Sequence, residues 1–436
     1  MRTVFYSSQN SYFVLSCEIR MQAVQEGFLY FALFCGLYFQ VFLLVSYFLW
    51  NGKTEFGEDD TPALVPYEPV VAVMVPCFNE ETTVAGTVHS LLNMDYPREK
   101  LRILVIDDGS TDGTWNAVQE FVNNPSVVLL QKKNEGSKFA ALNFGLEKIK
   151  SDIHADIIGC LDADSSVDPQ ALRESLKEFT KPGVMAVVPS MVIDHPHTFF
   201  QYMQKVEYEI GTYVKQAFSR LNMLYIAPGP FTMFRREVFE QLGGYHEAHH
   251  TEDMEIALRM QMANMRLSHA VHSLVYTKGP RTWPVLLKQR VRWTYGFLMN
   301  TWDYRKNFFK SNLGHVGVTL PILLVLFAIS IIIIPFTLIG IALPIINFSK
   351  RIFATHQVFT PMHFDWFYVN TSAIVILSFV TLGTMAVALV IGRRKLLGQK
   401  LLSLDLLTLA VYSFFAAWWS GKSAYNAIRR KKHSWR

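Results

Sequence analysis

Four short groups of polar residues fall in order along this chain, and each suits a different chemical task. Leu161-Asp162-Ala163-Asp164 places two carboxylates one residue apart after an apolar stretch. Two hard oxygen ligands that close suit a Mg²⁺ or Mn²⁺ ion bridging a diphosphate. Ile106-Asp107-Asp108-Gly109-Ser110 also follows an apolar run. Its carboxylates can accept hydrogen bonds from a uracil ring or ribose hydroxyls, although Asp, Ser and Gly equally favour a plain turn. Thr251-Glu252-Asp253 reads as a helix start, with Thr as cap and the acids facing the helix dipole. Asp253 is the candidate general base, because a sugar hydroxyl must lose its proton as it attacks. Gln289-Arg290-Val291-Arg292-Trp293 offers two guanidinium groups for phosphate oxygens and an indole face for a sugar ring. A basic amphipathic helix at a membrane surface is the simpler reading of that last group.

The elements that must position these groups are short apolar strands alternating with helical periods. Strands are expected at 71–76, 101–106, 127–130 and 157–161, and helices at 81–92, 114–121 and 138–148. Alternation of this kind implies an α/β domain with a mostly parallel sheet and helices on both faces. Ligands of such sheets bind beyond the carboxyl ends of the strands. Asn79-Glu80, Asp107-Asp108 and Asp162/Asp164 each follow a strand end. Phe199–Arg220 has apolar residues at helical spacing with Gln201, Gln204, Lys205, Glu207 and Lys215 between them. It is too polar to span a bilayer, and two readings stay open, an interfacial helix or a core-packed one. Residues 281–299 form a second interfacial candidate.

Half of the 436 residues are hydrophobic, and the formal charge of +5 is small for the length, so nucleic-acid binding is not indicated. The mean hydropathy is +0.18, with the apolar excess gathered toward the ends. Residues 28–50, 318–346, 366–391 and, more weakly, 401–420 are expected to cross or enter a bilayer. Basic residues beside them would meet anionic headgroups. Residues 28–50 read as an uncleaved anchor, 1–27 as a more polar N-terminal segment and 51–69 as a polar linker. If all four segments cross, Arg429-Arg430-Lys431-Lys432 falls on the side that the positive-inside rule disfavours. Either 401–420 does not cross or 318–346 is not a simple span. The four cysteines, Cys17, Cys35, Cys77 and Cys160, show no metal or disulfide spacing. His249 and His250 lack a matching ligand set for zinc.

The four groups, in this order, resemble the processive family-2 glycosyltransferases of membranes, which make poly-N-acetylglucosamine, cellulose, chitin and hyaluronan. The similarity runs from about Val71 to Tyr304 and is nearest to the bacterial poly-β-1,6-N-acetylglucosamine synthase type. That type usually has two N-terminal spans where only one is evident here. The resemblance implies a Rossmann-like GT-A nucleotide-sugar domain over 70–305 with flanking transmembrane helices. It assigns nucleotide-sugar contacts to Asn79, Glu80, Asp108, Lys138, Asp162, Gln289, Arg290, Arg292 and Trp293, and metal binding to Asp162 and Asp164. Lys138 and Asn143 fall in Asn134-Glu135-Gly136-Ser137-Lys138-Phe139-Ala140-Ala141-Leu142-Asn143, where Ser137 replaces the family's second glycine. Pro228-Gly229-Pro230-Phe231 resembles the acceptor-side loop, with Pro230 where the family often has a small residue.

The implied activity is inverting transfer from a UDP-sugar, UDP-N-acetylglucosamine foremost, to a growing β-linked polysaccharide, with Mg²⁺ or Mn²⁺ as cofactor. The alternatives are a non-processive enzyme making a glycolipid, or a cellulose-like β-glucan synthase. Implied partners are the sugar donor, a polysaccharide or lipid-linked acceptor, the lipid bilayer and a small accessory membrane subunit. The implied location is the cell (inner) membrane, with the catalytic domain in the cytosol and the product coupled to export.

Overall fold

The computed structural model describes residues 2–49, 68–310, 313–355, 373–400 and 403–430. Most of the expected linker 51–69, the start of the expected span 366–391 and the first two residues of 401–420 lie outside them. The first helix, α1, runs over Arg2–Leu49 without a break at residue 28, where the sequence reading changes segment. The chain divides into two compact units, 1–43 with 323–387, and 44–322 with 388–436.

In the larger unit, β1 (Val71–Cys77) is almost wholly apolar and buried. Burial on both faces is what a central parallel strand requires. A loop and α2 (Val84–Leu92) lead to β2 (Leu101–Asp107), which pairs in parallel with β1, Val71 opposite Leu101 and Cys77 opposite Asp107. α3 (Thr114–Val118) crosses to β3 (Val127–Gln131), parallel to β2 with Gln131 opposite Asp107. α4 (Lys138–Asp152) returns the chain to β4 (Ile157–Cys160), on the other side of β1. This register brings the ends of β1, β2, β3 and β4 into one row, so the loops after them share one edge.

The second half departs from the parallel pattern. It comprises β5 (Ser165–Val167), α5 (Ala171–Glu178), β6 (Val184–Ile193), α6 (Phe199–Arg220), β7 (Met233–Arg235), α7 (Arg236–Leu242), α8 (Glu252–Met262), β8 (Arg266–Thr277) and α9 (Trp283–Asp303). The eight strands order as β3-β2-β1-β4-β7-β6-β8-β5. β7 runs antiparallel to β4 and β6, and β5 antiparallel to β8. The sheet is therefore mixed, because the three-residue strands β5 and β7 are too short to carry the apolar periodicity that marks a strand.

α6 packs against β6 and β8 on one side and against the turn at Ile391–Leu396 and α12 (Ser403–Ile428) on the other. Its buried side chains include Val206 and Tyr213 and also Gln204 and Glu209. Of the two readings open for this segment, the core-packed helix describes it. The helix starts with a capping box, Thr198 accepting from the Gln201 amide and Gln201 accepting in return.

α10 (Val316–Thr355) continues through Pro335 and Pro344, and α11 (Ala373–Val390) follows. Two stretches among the described residues are long and apolar enough to cross a membrane, Glu26–Leu49 and Val375–Arg394. Val316–Ile332 is apolar but shorter. Within the smaller unit, Phe34 on α1 and Phe379 on α11 are 62% and 70% exposed. Apolar rings displayed on that scale suit a lipid contact.

The loop carrying Asp162 and Asp164 is held from below by α2. The buried Thr87 hydroxyl lies 2.9 Å from the Ala163 carbonyl and 2.7 Å from that of Ser165. Replacing it with Val keeps the volume and removes the one O–H that the two carbonyls share. Thr87→Val should cost about 1–3 kcal/mol, read as a lowered midpoint in thermal unfolding of the purified protein; an unchanged midpoint would show that the hydroxyl does not hold this loop.

Candidate active site

The nucleoside end of the cleft is built from the turns after β1 and β2. The Asp107 carboxylate is spent on structure: it accepts from the Ser110 amide at 3.0 Å and from Gln131 Nε2 at 3.0 Å. Asp108 is buried, and its Oδ1 accepts from Lys132 Nζ at 2.9 Å. Its Oδ2 is buried with no partner among the described residues. Burial raises the Asp108 carboxyl and the Lys132 ammonium opposes that rise. A hydroxyl or ring N–H arriving at Oδ2 would satisfy the orphaned acceptor. Asn79 sits opposite with φ of 56°, in the left-handed region that Asn tolerates. Its Oδ1 accepts from the Thr111 amide at 2.9 Å and its amide donates to Ser110 Oγ at 3.0 Å. Asn79 thus clamps the two turns together. The Glu80 amide donates to Thr114 Oγ1 at 2.7 Å, and its carboxylate accepts from Thr83 at 2.8 Å.

The centre of the cleft holds the aspartate pair. Asp162 is ion-paired with Lys138 at the start of α4, and Lys138 also reaches Glu252 at 3.8 Å. Gly229 is required there, since a Cβ on it would stand 2.7 Å from Lys138 Nζ. Cys160 Sγ donates to the Gly229 carbonyl at 2.7 Å, and Cys77 Sγ to the Ile106 carbonyl at 3.4 Å. Both thiols are buried and behave as small core groups. The Asp164 carboxyl opens to the cleft mouth yet is hemmed in by protein. Desolvation, then the carboxylates of Asp162 and Glu80, raise it to about 6. Among the described residues no three acidic, His or Cys side chains group closely enough to hold a metal by themselves. What Asp162 and Asp164 offer is an open pair of hard oxygens in a place short of positive charge. That fits a divalent ion whose remaining ligands come from a substrate diphosphate.

Asp253 lies in the first turn of α8. Burial first, and the neighbouring Glu252 carboxylate second, raise it to about 7, while Lys138 and Arg292 pull it down. Its own Oδ1 accepts from the Met254 amide at 2.9 Å. The turn before it carries His249 and His250 with φ of 53° and 62°. Thr251 then locks this helix start onto α9: its hydroxyl donates to the Ala248 carbonyl at 2.9 Å and accepts from Asn300 Nδ2 at 2.7 Å. Gly296 makes that approach possible, as a Cβ there would meet Thr251 Oγ1 at 2.2 Å. A cavity of about 200 Å³ beside Lys138 and Glu252 is lined also by Ser137, Phe139, His246 and His250.

The five residues of 289–293 do not act as one cluster. The Arg292 charge favours the ionised form of Asp253. Arg290 is buried and forms a two-pronged ion pair with Glu207 of α6, Nη1 to Oε1 at 2.6 Å. Its guanidinium lies 4.7 Å from the Trp293 ring centre. In this structure Arg290 is therefore engaged away from the aspartate pair. Gln289 Oε1 is buried without a partner among the described residues. Asn143 is a clamp too, exchanging hydrogen bonds with the Tyr245 backbone at 2.8 and 2.7 Å.

Sequence reading passed over three residues at the site. Lys132 pairs with Asp108, and its only signal was a lysine at a strand end. Glu252 shares Lys138, and was visible as the middle of Thr-Glu-Asp. Glu207 was one polar residue among several on an amphipathic helix, with nothing to mark its partner.

Gly296→Ala should push α9 off the start of α8. Displacements on the order of 1 Å at reacting groups cost roughly 10²-fold in rate, so any turnover that depends on Asp253 should fall at least about 10-fold. Measured kcat checks this, and a fully active variant would dismiss the Thr251–Gly296 contact as a positioning device.

The profile of glycosyl transferase family 2 matches residues 72–243. The poly-β-1,6-N-acetyl-D-glucosamine synthase of Staphylococcus epidermidis is 28% identical over 229 residues, 52% of this chain and 54% of that one. The probable glycosyltransferase YdaM of Bacillus subtilis is 29% identical over 251 residues, 56% of this chain and 58% of that one. The chain thus spans about half the length of the curated relatives it matches. Among solved structures, the mannosyltransferase PcManGT of Pyrobaculum calidifontis, in complex with GDP-Man and Mn²⁺, has the same fold: TM-score 0.60, 17% identity, 93% of this chain and 99% of that one. Residues 72–243, which carry most of the mixed α/β sheet and much of the acid-lined cleft at its strand ends, are thus similar to glycosyl transferase family 2.

Proposed function

We propose that the chain is an inverting membrane glycosyltransferase that moves N-acetylglucosamine from UDP-N-acetylglucosamine to the growing end of a β-linked polysaccharide. The observation that carries this reading is Asp253, a half-buried carboxylate in the first turn of α8, raised toward neutrality by desolvation and by the neighbouring Glu252. A base is most effective when its pKa lies near the working pH. The names of the relatives support the polysaccharide and the sugar. The two apolar stretches Glu26–Leu49 and Val375–Arg394 are long enough for a bilayer setting; a cytosolic catalytic domain and export of the product belong to the same proposal. A small accessory membrane subunit belongs to the same proposal.

Asp108 takes the nucleoside at its unpartnered oxygen, and the turns held by Asn79 and Glu80 form the wall of that site. Lys138 and Arg292 lie along the diphosphate. A Mg²⁺ or Mn²⁺ ion between Asp162 and Asp164 would neutralise charge on the departing diphosphate. The acceptor hydroxyl oxygen forms its bond to the anomeric carbon as that carbon's bond to the diphosphate oxygen breaks. The hydroxyl proton passes to Asp253, and UDP leaves with the bonding electron pair. One displacement inverts the anomeric centre, and no covalent enzyme intermediate is needed. Trp293 offers a flat face for the acceptor sugar. Purified protein in detergent, given a panel of UDP- and GDP-sugars with products sized, tests the reading. Long product and UDP release from UDP-N-acetylglucosamine are expected; a single sugar on lipid would instead identify a glycolipid enzyme.

Asp253→Asn keeps the shape but cannot take a proton, so turnover should fall by roughly 10²-fold or more with UDP binding kept. In the wild type, kcat/KM should decline as pH drops through about 7, because the protonated carboxyl is no base. A variant with more than about a tenth of wild-type turnover, or a wild-type profile flat from pH 5 to 8, would remove Asp253 from this role.

Asp164→Ala takes one hard oxygen from the proposed ion. UDP binding should then lose its dependence on Mn²⁺. Calorimetry with and without Mn²⁺ reads this directly, and equal UDP affinities in the wild type under the two conditions would refute a metal role.

A further inference from the structure

The pair formed by Glu207 and Arg290 lies outside the chemistry just described, yet it is largely enclosed. The side chains of Arg290 and Glu207 are 7% and 24% exposed. Each carboxylate oxygen accepts from one terminal nitrogen of the guanidinium, Nη1 to Oε1 and Nη2 to Oε2. The cation is stacked 4.7 Å from the Trp293 ring centre and 6.0 Å from that of Trp419 on α12. The Tyr412 hydroxyl of α12 hydrogen-bonds the same carboxylate, and Ser423 Oγ donates to the Val291 carbonyl at 3.4 Å. Three helices, α6, α9 and α12, therefore meet on one charged pair.

We propose that Glu207 is a positioning residue for sugar transfer, and that Arg290 acts through it rather than on the diphosphate. α9 is fastened at two points. One is Glu207–Arg290, and the other is the contact of Gly296 and Asn300 with Thr251. Arg292 and Trp293 lie between the two, within a single helical turn of each. A helix pinned on both sides of a short stretch cannot roll there, so Arg292 keeps its place on α9 and Trp293 stays under the guanidinium. The two-pronged geometry matters, because a planar guanidinium gripped at two oxygens fixes orientation as well as distance. The stacking between two indoles restrains the third direction. This inference rests on the proposed transfer reaction for its kinetic consequence and on the fold alone for its mechanical one.

A double-mutant cycle on the full-length protein in detergent separates the possibilities. Glu207→Gln, Arg290→Gln and the double variant are compared for kcat, KM for the sugar nucleotide and UDP affinity. If the two act as a unit, each single variant loses about 10-fold or more in kcat with UDP affinity within about 2-fold, and the double loses no more than the worse single. Glu207→Asp, which keeps the charge and shortens the reach, should fold normally and lose an intermediate amount. Losses that multiply in the double, or an Arg290→Gln variant that loses UDP affinity about 10-fold while Glu207→Gln does not, would place Arg290 on the nucleotide and overturn the proposal. Hydrogen exchange over residues 286–296 gives a readout independent of turnover. Glu207→Gln or Glu207→Asp should speed exchange there and leave the β1–β2 core unchanged. Unchanged exchange in 286–296 overturns the strut even if the enzyme is active. A wild-type protein that releases UDP from no sugar nucleotide defeats the transfer reading, while the exchange result still decides the strut.

Discussion

Negative charge crowded at the carboxyl ends of parallel strands is the constraint that the site is built around. Asp108, Asp162, Asp164, Glu252 and Asp253 converge there, with Lys132, Lys138 and Arg292 as the nearby cations. Carboxylates at such spacing repel unless opposite charge or a proton intervenes. Each feature of the cleft answers that problem locally. Lys132 covers one oxygen of Asp108 and leaves the other open. Lys138 reaches both Asp162 and Glu252, so one ammonium spans the gap between the strand-end loop and α8. Asp164 and Asp253 are raised first by desolvation and then by the carboxylates beside them. A substrate diphosphate by itself would worsen the imbalance, which is why a divalent ion belongs with it in the proposed reaction.

The parallel half of the sheet was legible because its strands carry long buried apolar runs. Val71–Val75 and Ile103–Ile106 could scarcely be anything else once turn residues bounded them. The loops after them were legible for the same reason, since a parallel sheet gathers the ends of its strands. The antiparallel additions were not. Met233–Arg235 and Ser165–Val167 are short, and their pairing partners lie far along the chain. Asp253 was readable from its cap, and the structure supplies what the sequence cannot, namely that Thr251 is wedged against Gly296 from another helix. Arg290 shows the opposite limit. A run of residues suggests a shared task, but a helix turns successive side chains about 100° apart. Arg290 turns to Glu207 on α6, and only the fold reveals that partner.

α6 gains its importance from being packed on two sides. Its apolar residues face β6 and β8, while Glu207, Glu209 and Tyr202 face the C-terminal part of the chain. Arg393 lies buried between Glu209 and Asp405, 3.3 and 2.6 Å away. A helix with polar groups on its second face reads from sequence as amphipathic and surface-bound. Here those groups find partners inside the protein, which removes the desolvation cost of unpaired burial.

The setting of Asp253 also bears on how durable the folded enzyme is. A carboxyl raised on folding binds its proton more tightly in the native chain than in the unfolded one. Its contribution to stability is therefore greatest where it is protonated and is lost as pH rises from the ordinary carboxylate range through its folded value. At neutral and alkaline pH the native chain carries this ionised group at an energetic disadvantage. The substrate-free protein is in that sense spring-loaded: the same residue that readies it for chemistry makes it easier to melt. Any ligand that binds only the native form would offset that disadvantage and preserve the chain as well as engage it.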